Sequence, residues 1–267
     1  MKRLKLTLGY LFIVFVFTFS CRPEGEIVRA DLQSFTEFEQ AKIGKELSNY
    51  IVANPNLYNL YRRAQNQTLY RYLDSALATI VNTSTVVNRD KFAWEVFVLR
   101  DEESKIAFTL PGGKIFISSA FLKFIRTEAQ LLAVLSHEMC YADHGLAMEK
   151  LQEYHSGLIL GDIVFNNPVN EKDDMVQTLL TERYGMAKVL QADLYSIELL
   201  CPFNYEADGI FTVLNNVTDE TFPLEWEVTR PSYNGRTDTI MTRSAICGIA
   251  TNEEATRYRD NVLNLLD

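Results

Sequence analysis

Between Glu128 and Leu135 the chain reads Glu-Ala-Gln-Leu-Leu-Ala-Val-Leu and then runs straight into Ser136-His137-Glu138-Met139-Cys140-Tyr141. A helix that is apolar on nearly every side must be enclosed on every side. Any fold open to this chain therefore has to bury the segment, and with it an imidazole and a carboxylate. With 267 residues, 47% of them hydrophobic, the chain can wrap one sizeable core around such a helix. No low-complexity run or internal repeat marks a further unit, so residues 21–267 are expected to form a single domain.

The apolar spacing outlines the rest. From Phe35 to about Thr83 it is helical, through Phe38, Ile43, Leu47 and Ile51, then a break at Pro55 and a second run through Leu60, Tyr70, Leu73 and Leu77. Between Ala93 and Ser118 the period shortens: Trp94 to Leu99, Ile106 to Leu110 and Lys114 to Ile117 read as strands around a Pro111-Gly112-Gly113 turn. Ala120 to Ile125 leads into the buried helix, and a polar segment follows around Asn166 to Asp174. A long helix through Leu190 and Leu200, closed by Pro202, is followed by another from about Glu206 to Asn216. Val217 to Gly235 reads as loop, and a helix to Leu266 closes the chain. The expected class is α+β, mostly helical, with a small antiparallel sheet beside the buried helix.

Charge and the N-terminus bound the partners and the compartment. A net charge of -9, with no basic block beyond the first residues, excludes general affinity for nucleic acid or anionic lipid surfaces. Lys2, Arg3 and Lys5 precede an apolar run from Leu8 to Phe19, too short for the ~20 residues of a membrane span and suited to a signal-peptide core. The run ends at Thr18-Phe19-Ser20-Cys21, which resembles a bacterial lipobox. Residues 1–20 are thus expected to be a lipoprotein signal peptide and Cys21 its lipidation site, with a plain signal-peptidase site as the alternative. That expectation places the protein in a bacterial envelope, lipid-anchored and periplasm-facing, at the outer rather than the inner membrane. Of the other cysteines, Cys140 suits a small apolar filler on the buried helix, which leaves Cys201 and Cys247 able to pair in an oxidising compartment.

The buried helix carries half of a metal-binding pattern. In H-E-x-x-H, histidines four residues apart share one helix face and reach a single Zn²⁺, while the Glu between them acts as general base. Here His137 and Glu138 hold the first two places and Tyr141 stands at the second histidine. Three further stretches extend the pattern: Ala107-Phe108-Thr109-Leu110-Pro111-Gly112-Gly113-Lys114-Ile115-Phe116-Ile117, Gln191-Ala192-Asp193 followed by Glu198-Leu199-Leu200, and Thr229-Arg230-Pro231 with Arg236 and Asp238. In this order they resemble the HtpX- and BepA-like zinc metallopeptidases, the gluzincin family numbered forty-eight among metallopeptidases. The resemblance covers nearly all of residues 21–267 and implies a zincin-like fold.

It also implies roles, and departures from them. His137 matches the first ligand, Glu138 the general base and Asp193 the aspartate that orients a ligand histidine. Tyr141 replaces the second histidine, Val189 the ligand glutamate, and Arg230 the histidine of a T-H-P segment. A catalytic zinc takes about three protein ligands and an open position, so the resemblance implies weak zinc binding or none. The leading expectation is an inactive family member without a cofactor, binding envelope proteins or extended peptides along a strand edge at Leu110, Pro111, Gly112 and Gly113. The alternative is an active zinc-dependent metalloendopeptidase of envelope protein quality control, its ligand set completed by Tyr141, His144, Glu182 or Glu206. A third possibility is a structural lipoprotein with its cleft closed by Tyr141 and Arg230.

Overall fold

The computed structural model describes residues 34–203, 205–216, 226, 235–247 and 253–266. The signal-peptide and Cys21 expectations, Arg230, and all of the 217–235 loop but Trp226 and Gly235 lie outside them. Helix α1, Glu37–Ala53, opens with a capping box in which Thr36 and Glu39 satisfy one another's backbone N–H groups, and it buries Ile43, Leu47 and Ile51. Helix α2, Gln67–Val81, buries Leu69, Tyr70, Leu73, Leu77 and Ile80. Both follow the helical spacing, with Pro55 between them, except that Leu60 lies outside α2 and makes a β-bridge with Leu99.

Three strands follow: β1 (Glu95–Leu99), β2 (Ala107–Leu110) and β3 (Lys114–Ser118). The sheet order is β1-β3-β2, with β2 antiparallel to β3 but β1 parallel to it. The sheet is therefore mixed rather than wholly antiparallel. After β1 the chain crosses to the far edge before the hairpin returns it to the middle, so β3 runs the same way as β1. The hairpin turn needs its glycines, since Gly112 and Gly113 have φ of 75° and 86°.

Leu110, Pro111, Gly112 and Gly113 are all buried, which removes them from the place of an open substrate edge. Helix α1 lies on the turn so closely that a Cβ on Gly44 would stand 1.6 Å from the Pro111 carbonyl oxygen. The helices at Leu146–Tyr154 and Lys172–Thr181 also contact β2.

Helix α3 (Ser119–Phe124) leads to α4 (Glu128–Asp143), started by the Thr127 hydroxyl, which accepts from the Gln130 N–H. All of α4 is buried. It packs against α8 (Met186–Leu200), α9 (Gly209–Asn216) and β2. Between α4 and α8 lie three short helices that the spacing does not single out: α5 (Leu146–Tyr154), α6 (Gly157–Val164) and α7 (Lys172–Thr181). The polar stretch holds the start of α7, where Asp173 and Asp174 occupy the first turn, the end of a helix that favours carboxylates. Helices α10 (Arg236–Ser244) and α11 (Glu253–Asn261) and a 3-10 turn at Leu263–Leu265 complete the described chain.

A disulfide joins Cys201, at the end of α8, to Cys247, just past α10. Cys140 is a buried free thiol whose pKa burial pushes well above the usual range, so it acts as an inert apolar filler.

Candidate functional site

The two helices that touch most closely, α4 and α8, supply the centre of the site. Helix α4 carries His137, Glu138 and Tyr141; α8 carries Val189 and Asp193; all five are fully buried. One turn of α4 separates His137 from Tyr141, so both side chains share a face. There His137 Nε2 stands 3.0 Å from the Tyr141 hydroxyl. On its other side His137 Nδ1 lies 3.0 Å from Asp193 Oδ1. Arg236, from α10, closes on Asp193 with a buried two-pronged contact, Nε to Oδ2 at 2.6 Å and Nη2 to Oδ1 at 2.9 Å.

This arrangement fixes the charges. Burial pulls the His137 pKa below its ordinary value, and the opposing pull of Asp193 and Glu138 does not reverse it. For Asp193, burial pushes upward, but the Arg236 guanidinium and His137 hold the carboxyl below its usual range. The centre is thus a neutral imidazole beside an ionised aspartate paired with arginine.

Glu138 points to the opposite side. Its Oε2 accepts from the Thr109 hydroxyl of β2 at 2.9 Å, and its Oε1 from the Trp226 indole Nε1 at 2.8 Å. The indole ring also meets the rings of His137 at 5.0 Å and Phe121 at 5.4 Å between centroids. Of the fates open to a buried carboxylate, Glu138 has taken hydrogen bonding.

Tyr141 is held by stacking. Its ring lies 3.9 Å from that of Tyr184, centroid to centroid, and the buried Lys150 ammonium stands 3.3 Å from the far ring while donating to the Glu182 carbonyl. A tyrosine wedged in this way cannot swing clear without unpacking a neighbouring element.

Of the residues expected to complete a metal site, Tyr141 lies against His137, while His144, Glu182 and Glu206 are not brought to it. His144 caps the end of α4, exposed, with its Nδ1 3.6 Å from Cys140 Sγ and its ring against Tyr195. The Glu182 carboxylate accepts from the Tyr154 hydroxyl at 2.8 Å near the surface, and Glu206 is exposed. His155 sits away from the site against Thr178, 2.9 Å from its hydroxyl. Among the described residues no group of three or more His, Cys, Asp or Glu side chains is placed to hold a metal ion. The donor set itself does not fit zinc: one imidazole, whose Nε2 is hydrogen-bonded to a phenol, and a valine where a carboxylate is needed.

Four contributors escape a reading of the sequence: Thr109, Tyr184, Trp226 and the pairing of Arg236 with Asp193. Arg236 was within reach, since a buried aspartate needs a cation and this arginine stands in the third motif. Trp226 carried a weaker signal, a large apolar residue inside a stretch that otherwise reads as loop.

Comparison with known proteins shows the family. The family model described as peptidase family M48 matches residues 67–243. Over 98 residues the chain is 32% identical to the mitochondrial metalloendopeptidase OMA1 of Schizosaccharomyces pombe, a match covering 34% of this chain and 29% of that protein. This chain therefore spans under a third of the relative's length.

Proposed function

This chain belongs to peptidase family M48 and has its α+β, zincin-like fold, and from that premise we infer that it is a member whose site has ceased to be a metal centre and that works by binding rather than by hydrolysis. The observation that carries the reading is the hydrogen bond between His137 Nε2 and Tyr141, made inside a fully buried site. The nitrogen that would face a metal faces a phenol instead. Val189 offers no lone pair at the position of a third ligand, and Glu138 is already committed to Thr109 and Trp226. A general base needs access to the water it activates, and this carboxylate is closed off from solvent.

The partners follow from the expected compartment. Anchored through a lipid on Cys21 and facing the periplasm, the domain would meet envelope proteins, and a chaperone-like or scaffolding role suits a peptidase fold without its metal. The buried hairpin from Leu110 to Gly113 is not part of this proposal.

Zinc content tests the reading. The wild-type chain, purified without chelator, is compared with a Tyr141→His, Val189→Glu double variant that restores the family's ligands. The expected result is no stoichiometric zinc in the wild type and a gain of zinc in the variant. One zinc per wild-type chain, accompanied by cleavage of an unfolded protein, would overturn the proposal.

A further inference from the structure

The connection between α1 and α2 builds a cavity that shares no residue with the His137 site. Asn54 ends α1, and its carbonyl accepts from the Leu57 and Tyr58 N–H groups, which turns the chain. The chain then runs along the outer edge of β1: Arg100 N–H donates to the Asn59 carbonyl, Leu60 bridges Leu99, and Tyr61 N–H donates to the Val98 carbonyl. Between this connection, the end of α1, α2 and β1 lies a cavity of about 320 Å³. That volume is at the small end of the ~300–1,000 Å³ of ligand sites. Most of its wall, from Val52 to Arg63, precedes residue 67, where the match to the family model begins.

The wall is aromatic, and its polar atoms are already engaged. The Tyr58 hydroxyl donates to Asp173 at 2.7 Å, that of Tyr61 to Glu102 at 3.3 Å, and that of Tyr70 to the Tyr61 carbonyl at 2.6 Å. The Arg63 guanidinium, 4.3 Å from the Tyr70 ring centroid and 5.9 Å from that of Phe97, is neutralised by Asp74 at 2.7 Å and Glu95 at 3.2 Å. Arg62 differs. It lines the cavity from an exposed position, and among the described residues its side chain makes no hydrogen bond or ion pair. In a chain of net charge -9, this leaves a cation without a carboxylate beside a set of ring faces.

We propose that this cavity binds a small aromatic carboxylate, with its ring among Tyr61, Tyr70 and Phe97 and its carboxylate on Arg62. Ring faces favour a flat apolar body through offset and edge-on stacking, and a guanidinium grips a carboxylate with two parallel hydrogen bonds. The two arginines turn away a cationic ligand. The site stands apart from the metal-free reading of the His137 centre and goes beyond it.

Calorimetric titration of the full chain tests the assignment, with 2-naphthoate as one probe and 2-naphthylmethanol, which keeps the rings and drops the charge, as the other. Saturable binding of both is expected, with the acid about fivefold tighter, the upper reach of a solvent-exposed ion pair. Arg62→Gln should bring the two compounds to equal affinity while leaving the alcohol's unchanged. Val52 is 53% exposed on α1, so Val52→Trp blocks the cavity without entering the core, and it should abolish binding of both probes at an unaltered thermal midpoint. No binding of either probe at millimolar concentration overturns the proposal. So does an acid that binds no tighter than the alcohol, a preference that persists in Arg62→Gln, or binding that survives Val52→Trp.

Discussion

Asp193 shows how one residue's neighbours decide what a buried site is. Its carboxylate, fully enclosed, lies between His137 and the guanidinium of Arg236, so each partner's removal has a different consequence. Arg236→Met strands a buried negative charge and should cost about 3–5 kcal/mol of stability, read as a lowered urea midpoint. Adding Asp193→Leu, which removes the stranded charge, should recover a large part of the loss. If the single variant is as stable as wild type, the ion pair is not what holds α10 to α8. At this scale the sequence was half legible. His137, Glu138 and the tyrosine at position 141 were identifiable because motif spacing is local, whereas Asp193 and Val189 were singled out only by the family resemblance. The partners Thr109 and Trp226 were not, because they reach Glu138 from 29 and 88 residues away.

Among the elements, the contact between α1 and the β2–β3 hairpin and the link between α8 and α10 are the most constrained. Gly44 is the point at which α1 touches the turn, and a methyl group there would fall inside the Pro111 carbonyl. Gly44→Ala should therefore force α1 off the hairpin and cost about 3 kcal/mol or more, measurable by chemical denaturation. A neutral effect would mean that the helix slides without penalty. The Cys201–Cys247 bridge closes a span of 46 residues, for which chain-entropy arguments give about 4 kcal/mol. Cys201→Ser should lower the unfolding midpoint of the oxidised protein, and reduction of the wild type should lower it similarly. Helices α1, α2, α4 and α8 were legible from spacing, since each buries one face or all of itself. Helices α5 and α6 were not, being short segments between longer ones, and the acidic first turn of α7 read only as a polar segment. The direction of β1 was also hidden, because a hairpin signal specifies β2 against β3 and says nothing about a third strand.

For the whole molecule, stability should depend on pH through the buried imidazole of His137 and the partly buried one of His155. Burial lowers the pKa of both His137 and His155 in the folded chain. Below the ordinary value near 6.5, the unfolded chain therefore takes up protons that the folded chain refuses, and stability falls as pH drops. Above it both states are neutral at these groups and the curve should be flat in this respect. Asp193, held low, adds a further loss below its ordinary value of 3.8. Urea midpoints measured from pH 8 to pH 5 should decline only on the acid side, and less steeply in His137→Gln. A midpoint that rises on acidification would contradict the neutral imidazole. Taken by itself, the sequence determined that one fully buried helix carries His137, Glu138 and Tyr141 and that the fold is mostly helical with a short sheet. Those features follow from periodicity and spacing, which act over one or two turns of chain, while the departure at Val189 was visible only through the family resemblance. What occupies the vacated chemistry was decided only in three dimensions: Tyr184 stacked on Tyr141, Arg236 on Asp193, and Trp226 on Glu138. A buried polar group must find a partner wherever packing brings one, and nothing in its own neighbourhood of the sequence specifies which residue that will be.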